Sequence, residues 1–251
     1  MKRRYKLLIA TLILLISLLN IFSEESEAKK DNGKMGYLTG TIDIKFSKYW
    51  HIDMTYNDKI VKGEFNKRVA LNLPKNRYIV EIRIGDKMYK GSIYRKSPLF
   101  GKNSYEIDIL CYKTKLEGEI TAYYKKVYKQ HKIECILGNS FFEGDIIYGR
   151  KNEEANISIK NEDNKLNGFT VLQDRKTRII DYVFNDKKIF GTIAIERTFD
   201  EYNIKAEDLT DDELFFFLFL ETFFKIDKRA EEESKKRMEE NRKSGFESGF
   251  E

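Results

Sequence analysis

The chain has 251 residues, with 46 lysines and arginines against 41 aspartates and glutamates, and a net charge of +5. Because this charge is small and evenly mixed, the sequence argues against a nucleic-acid-binding protein. The 14% aromatic content supplies enough apolar side chain for a core and excludes a wholly disordered chain. Two cysteines exclude a disulfide-dense scaffold and a cysteine-rich zinc cluster, and two prolines exclude a Pro-rich low-complexity class.

The segment 1–28 has the organisation of a secretory signal peptide. A basic stretch precedes a nearly continuous apolar run over 7–22, and small residues, Ser26 and Ala28, predict cleavage after Ala28. As a helix the apolar run would span about 24 Å, which is less than the roughly 30 Å of a bilayer core; an uncleaved N-terminal anchor is the alternative. The sequence therefore predicts export to the periplasm, the outer envelope or the medium, with 29–36 as a linker.

A short pattern recurs from residue 37 to residue 197. Segments 56–65, 84–93, 137–146 and 184–193 align without a gap, and three more segments keep only the second half of the pattern. The glycines of the pattern, which recur at nearly even intervals, are Gly40, Gly63, Gly91, Gly118, Gly144, Gly168 and Gly191. So regular a spacing predicts a repeat architecture. Each glycine is expected to let a neighbouring backbone or ring approach closely, the alternative being a simple turn residue.

Each repeat unit predicts two antiparallel strands and two turns. The residue pairs that tolerate the positive φ of two-residue hairpins are Asn57-Asp58, Gly85-Asp86, Gly138-Asn139 and Asn185-Asp186. Between them apolar and polar residues alternate, as in Val80, Ile82 and Ile84, which predicts a sheet with one packed and one wet face. The short repeat leaves no room for the helical crossovers of a parallel sheet. The expected fold class is therefore mainly β with a C-terminal helix, with an antiparallel meander of hairpins over 37–200.

This pattern resembles the MORN-repeat family, and more closely its variant in YwqK-type antitoxin-like bacterial proteins. The resemblance is carried by KLEGEITAYY (115–124) with ILGNSFFEGDIIY (136–148), and by NKLNGFTVLQ (164–173) with YVFNDKKIFGTI (182–193). It implies an elongated sheet of stacked hairpins, an association with protein scaffolding or lipid contact, and no fixed catalytic set. Antitoxins of this type are expected beside their toxins in the cytosol, which conflicts with a signal peptide. The fold is therefore carried over and the antitoxin activity is not.

A C-terminal helix with two unlike halves is predicted over 209–243. Thr210 at the N-cap and Glu213 three residues later form a capping box. The segment ELFFFLFLETFFKI (213–226) is apolar on all sides and therefore predicts a buried helix, whereas the residues that follow predict a charged, solvated extension. We interpret the apolar half as the cover of the sheet's apolar face, with a docking helix as the alternative. The duplicated tetrapeptide at 244–251 predicts a disordered tail.

Catalytic, cofactor-binding and metal-binding motifs are missing from the sequence. The two histidines, His51 and His131, lie far apart in the sequence, in strand-like contexts, and are expected to be partly exposed. No phosphate-binding loop or nucleophile elbow is present, and no small-molecule substrate is indicated. Cys111 and Cys135 occupy similar strands of successive hairpins with strand 116–123 between them, about 10 Å apart between Cα atoms. Since a disulfide needs a shorter separation, two free and buried thiols are predicted.

Candidate interaction residues come from the basic and aromatic segment 121–132 and from the apolar helix. They are Tyr123, Tyr124, Lys125, Lys126, Tyr128, Lys129, Phe215, Phe216, Phe219 and Phe223. The partner would be a protein or a membrane surface, although a hairpin with a basic wet face also accounts for the first group. The sequence thus predicts an exported, non-enzymatic interaction or scaffold protein of the bacterial envelope. A secreted hydrolase acting on envelope or host polymers is the alternative, because composition does not exclude a carboxylate pair.

Overall fold

A computed structural model of the chain describes residues 35–45, 49–68, 77–96, 102–112, 114–124, 129–149, 154–160 and 165–247. The strands are β1 (Met35–Lys45), β2 (Tyr49–Tyr56), β3 (Lys59–Arg68), β4 (Arg77–Ile84), β5 (Lys87–Arg95), β6 (Lys102–Cys111), β7 (Thr114–Tyr124), β8 (Lys129–Leu137), β9 (Ser140–Tyr148), β10 (Glu154–Lys160), β11 (Lys165–Leu172), β12 (Thr177–Phe184), β13 (Lys187–Ile195) and β14 (Phe199–Glu207). The helix α1 (Asp211–Glu247) follows them. The predicted signal peptide at 1–28 lies outside the described residues.

The sheet is a closed barrel of fourteen strands. Each strand pairs antiparallel with its neighbours in the sequence, which confirms the predicted meander of hairpins. The first and last strands also pair with each other, with Gly40 of β1 opposite Tyr202 of β14. This closure corrects the elongated sheet of stacked hairpins that the resemblance to MORN repeats implied. A closed sheet has no edge strand with unpaired backbone groups, so the meander avoids an exposed edge without needing a cover.

The tight turns form as the sequence predicts. Both central residues of the β2–β3 turn have positive φ, 49° for Asn57 and 66° for Asp58, and Asn185 and Asp186 of the β12–β13 turn have 51° and 63°. This is the turn geometry whose twist matches the right-handed twist of paired strands. Because each of these turns has only two residues, each one also fixes the register of its hairpin.

The repeat glycines all face the barrel interior, near the middle of the seven odd-numbered strands. Gly118 of β7 shows why a side chain is excluded there. It has a φ of +147°, and a Cβ atom on it would lie 2.1 Å from the carbonyl oxygen of Glu134 and 2.6 Å from Cα of Cys135. The backbone of β8 therefore occupies the space that a side chain would need. Glycines at such positions let strands bend sharply enough for a sheet to curl and close.

The first part of α1 runs through the barrel interior. The Phe215 ring stacks on Tyr89 of β5 at 4.1 Å between centroids, and Phe216 stacks on Phe142 of β9 at 5.2 Å. Phe219 lies 6.4 Å from Phe65 of β3. Since these strands lie on different sides of the barrel, the helix is surrounded by the sheet. The predicted cover of one sheet face is in fact a plug that lies inside the barrel and contacts strands on different sides of it.

A capping box starts α1, as predicted. The Glu213 amide donates to the Thr210 hydroxyl at 3.2 Å, and the Thr210 amide donates back to the Glu213 carboxylate at 2.8 Å. The helix then continues without interruption to Glu247. Residues 244–247 are therefore helical, although the composition of 244–251 predicts a disordered tail.

Cys111 and Cys135 are free and buried, as predicted, because β7 separates β6 from β8. We expect thiol titration of the denatured, unreduced chain to find two reactive thiols per molecule. In the native protein the reaction should be slow, because burial raises the pKa of both thiols, that of Cys135 to about 12, and leaves little thiolate. A denatured monomer without titratable thiols would contradict the strand order at β6–β8.

Candidate functional site

A buried polar cluster, here called the mouth cluster, surrounds Asp227 of α1 at the end of the barrel from which the helix emerges. One carboxylate oxygen of Asp227 accepts hydrogen bonds from the hydroxyls of Tyr105 and Tyr124, at 2.7 Å and 2.6 Å. The other oxygen accepts from Lys129 Nζ at 2.6 Å and from His131 Nε2 at 2.9 Å. The donors come from β6, β7 and β8, so a single helical residue ties three adjacent strands together.

Electrostatics keep this carboxylate ionised. Burial alone would raise the pKa of Asp227, but the hydrogen bond from His131 and the charge of Lys129 outweigh burial and hold the pKa well below its usual range. Burial lowers the pKa of His131, so its ring is neutral and donates through Nε2–H. Burial also raises the pKa of Tyr105 and Tyr124, which therefore stay protonated donors. The cluster consists of one anion, one cation and three neutral donors.

The position of His131 corrects the expectation that both histidines are partly exposed. His51 is exposed, whereas His131 is fully buried. Among the described residues its Nδ1 atom has no hydrogen-bond partner, and an unpaired buried polar atom costs about 1–3 kcal/mol. The alternation along β8 could have predicted this burial, because His131, Ile133 and Cys135 are at alternate positions and share the buried face of the strand.

A second polar group lies on another side of α1. Glu221, 2% exposed, forms an ion pair with Arg178 of β12 and accepts a hydrogen bond from the Tyr202 hydroxyl of β14 at 3.3 Å. Lys225, one helical turn further, forms an ion pair with Asp200 of β14. Together with the mouth cluster, these contacts fix both the rotation and the depth of the helix within the barrel.

The opposite end of α1 is held by lysines from the hairpin turns. Asp211 accepts from Lys59 at 2.7 Å, and Glu213 accepts from Lys187 at 2.7 Å. The Tyr89 hydroxyl donates to Asp212 at 2.5 Å. Carboxylates in the first helical turn also interact favourably with the positive end of the helix dipole. The helix is therefore anchored at both ends of the barrel.

Beyond Glu233 the helix leaves the barrel. The last side chains with a described contact to strands are Glu231, 3.5 Å from Lys129, and Glu233, 2.8 Å from Lys67. Residues 234–247, here called the arm, continue the helix, and their described side chains are exposed. These are Lys235, Lys236, Glu239 and Glu240. The Lys235 ammonium lies 2.6 Å from Glu231, an ion pair one helical turn long that stabilises an exposed helix.

The candidate interaction residues divide between these regions. Tyr124 and Lys129 belong to the mouth cluster, and Tyr123 is half-buried with Lys102 Nζ 5.6 Å from its ring centroid. Lys125, Lys126 and Tyr128 lie outside the described residues. The helix candidates Phe215, Phe216, Phe219 and Phe223 are fully buried, so in this structure they contact the barrel rather than a partner. The sequence pattern did not identify Asp227 or Tyr105, because elements distant in the chain bring them together.

The mouth cluster ties the helix to three adjacent strands. Both oxygens of Asp227 are taken up by four donors, and neither Asp227 nor His131 is exposed. Among the described residues, no three His, Cys, Asp or Glu side chains converge in a way that could hold a metal ion. Within the same residues, no helix has the length and apolar composition needed to cross a membrane.

Comparison of the chain with protein-family models, with curated proteins and with solved structures finds no significant match.

Proposed function

We propose that the protein is an exported, non-enzymatic interaction or scaffold protein of the bacterial envelope, in which the barrel anchors α1 and presents its arm to a partner. The observation that carries this proposal is the continuity of α1. Its first part is enclosed by the barrel, and the described side chains of its last part are exposed on the same uninterrupted helix. Because the barrel holds α1 at both ends, it also fixes the direction in which the arm extends.

The arm has the properties of a semi-rigid spacer. From 234 to 247 it extends about 21 Å at the rise of an α-helix. The helix combines an apolar half inside the barrel with a charged half outside it, and the charged half is stabilised by pairs such as Lys236 with Glu240, 3.9 Å apart. Mixed charge without an apolar face favours recognition of a charged protein surface over insertion into a membrane.

Two further parts of the proposal come from the sequence. The basic and apolar segment 1–28 favours export. The glycine repeat supports a MORN-like unit as the building block of the barrel, and such units are associated with scaffolding. A secreted hydrolase is the alternative function, but the histidine–carboxylate pair of the mouth cluster is enclosed and cannot reach a polymer.

The proposal is tested by removing the arm and leaving the plug. A chain that ends at Glu233 keeps every described contact between α1 and the strands. A matched control keeps the length but replaces 234–247 with a generic Glu-Ala-Ala-Ala-Lys helix. We expect the full chain, with a photo-crosslinker at position 239, to capture an envelope protein that both altered chains fail to retain in pull-downs. All three should melt at nearly the same temperature.

An identical set of captured proteins for all three chains would contradict presentation by the arm. A partner retained by the generic helix but lost on truncation would show that length rather than side chains matters, and would reduce the arm to a spacer.

A further inference from the structure

A lysine of α1 and an aspartate of β14 contact each other inside the barrel, close to the mouth cluster. Lys225 Nζ is in direct contact with Asp200 Oδ2, and the two side chains are only 14% and 15% exposed. The direct cross-strand partners of Asp200 are both apolar, Ile42 on β1 and Ile195 on β13. An amine and a carboxyl group are therefore held against each other in a site that excludes most of the solvent.

This environment favours the uncharged forms of the pair. Burial lowers the pKa of Lys225 well below its usual value, and the nearby charges of Arg178 and Lys228 lower it further. A proton that leaves this ammonium has the Asp200 carboxylate in contact to receive it. The transfer gives a neutral amine beside a neutral carboxylic acid and avoids the cost of two buried charges. A desolvated neutral amine is also the form of lysine that attacks a carbonyl carbon.

A third side chain is placed to carry protons between the two groups. Glu221 precedes Lys225 by one helical turn, so the two side chains share a face of α1. The Tyr202 ring borders both of them, because its hydroxyl donates to Glu221 at 3.3 Å and its centroid lies 5.8 Å from Lys225 Nζ. The described contacts of Glu221, from Tyr202 and Arg178, are both made to Oε2. Its Oε1 atom therefore serves as the proton acceptor.

We propose that Lys225 and Asp200 condense into an intramolecular amide that links α1 covalently to β14. The Nζ lone pair attacks Cγ of the protonated Asp200 carboxyl group, and the Nζ–Cγ bond forms. Glu221 removes a proton from the attacking nitrogen and returns it to the departing hydroxyl group. The Cγ–O bond then breaks, the carbonyl group is restored and one water leaves.

The reaction needs no oxidant, metal ion or second substrate. Contact between the reacting groups lowers its barrier, since the effective concentration of well-positioned groups reaches about 10⁵–10⁸ M. The product would keep the helix from leaving the barrel, and it would supply a covalent tie that the two free cysteines do not. The inference concerns only how α1 is anchored, so it does not depend on the partner of the arm.

Mass spectrometry of the denatured full chain tests the link. We expect trypsin to leave the bond after Lys225 uncut and to release 198–205 joined to 206–228, with the loss of one water. Separate peptides 198–205 and 206–225 at full mass would overturn the proposal. A loss of water confined to 198–205 would overturn it as well, because it would indicate an aspartate that has cyclised on its own backbone.

Substitutions of the two reacting residues give opposite results for an amide and for a simple ion pair. Lys225→Arg keeps the cation without the nucleophile, so its peptides should be separate and at full mass. Asp200→Asn should form the same amide with the loss of ammonia in place of water. The matched control is Lys228→Arg, which changes an exposed lysine of the same helix and should leave the link intact. The peptide map of the unaltered chain decides the proposal even where a variant fails to fold.

The role of Glu221 is tested by the rate at which the link forms. We expect Glu221→Gln to slow the appearance of the joined peptide by at least about 100-fold in samples taken at intervals after cell-free synthesis, because a positioned proton carrier contributes that much. Glu221→Asp keeps a carboxylate and should recover part of the rate. Thermal melting will show that these variants are folded. An unchanged rate in folded Glu221→Gln would overturn the assignment of Glu221 as the proton carrier.

Discussion

A chain that lacks residues 209–226 is expected to aggregate instead of forming a soluble barrel. The deletion removes the link and the enclosed part of α1, including Phe215, Phe216, Phe219 and Phe223, all fully buried. Burial of one phenylalanine contributes roughly 1.5–3 kcal/mol, so these four account for roughly 6–12 kcal/mol. That amount is comparable to the whole net stability of a typical domain, about 5–15 kcal/mol. The buried side chains of the strands would also lose the helix on which they pack.

Light scattering and thermal melting will check this result, with the chain that ends at Glu233 as the control. The control keeps the plug and should stay as soluble and as stable as the full chain. A milder variant, Phe216→Ala, should still fold, since it leaves most of the plug in place. It should lose about 3–5 kcal/mol, because Phe216 packs on both Phe142 and Phe184. A deletion variant that remains monomeric and melts normally would contradict the role of α1 as the core.

The hairpins could be predicted from the sequence because their determinants are local. A pair such as Asn57-Asp58 specifies its turn, and alternation assigns the faces of the adjoining strands. Closure could not be predicted in this way, because the same hairpins fit an open sheet and a barrel. It depends on the pairing of β1 with β14, the first and last strands along the described chain.

One sequence feature did contain information about closure. Residues 214–220 are apolar without interruption over about two helical turns. An open sheet can cover only one side of a helix. Only a surrounding sheet, or several layers of secondary structure, can bury such a helix completely.

The charged residues of the site were harder to predict from the sequence. Asp227 begins the charged segment of α1, and only the rotation of the helix inside the barrel shows that it points inward while Lys228 is exposed.

Asp227→Asn is expected to destabilise the protein by about 3–5 kcal/mol, the usual loss when one partner of a buried charge pair is removed. The substitution removes the closest anion of the buried Lys129 ammonium and leaves it only Glu231, 3.5 Å away. It also replaces one acceptor oxygen by an NH₂ group that faces other donors. Denaturant unfolding at pH 7 measures the loss. Glu239→Gln makes the same change of charge on the exposed arm and should shift stability by less than about 0.5 kcal/mol.

Adding Lys129→Met to Asp227→Asn separates the two reasons for this loss. The second substitution removes the buried cation that has lost its closest anion, so the double variant should be more stable than Asp227→Asn alone. A double variant that is less stable by the sum of both single losses would show that Lys129 stabilises the barrel independently of Asp227.

The pH dependence of stability gives Asp227→Asn a second readout. The pKa of Asp227 is lower in the folded than in the unfolded chain, where it is near 3.8, so the unfolded state binds more protons in acid. Its contribution is therefore complete above about pH 3.8 and is lost as the pH falls towards the folded value. His131 acts in the same direction from about pH 6.5 downwards, because its pKa is also lowered. We expect the unaltered chain to lose stability in both ranges, and Asp227→Asn to lose the acid component below pH 3.8. Equal acid sensitivity of the two chains below that pH would mean that Asp227 is not the ionised centre of the mouth cluster.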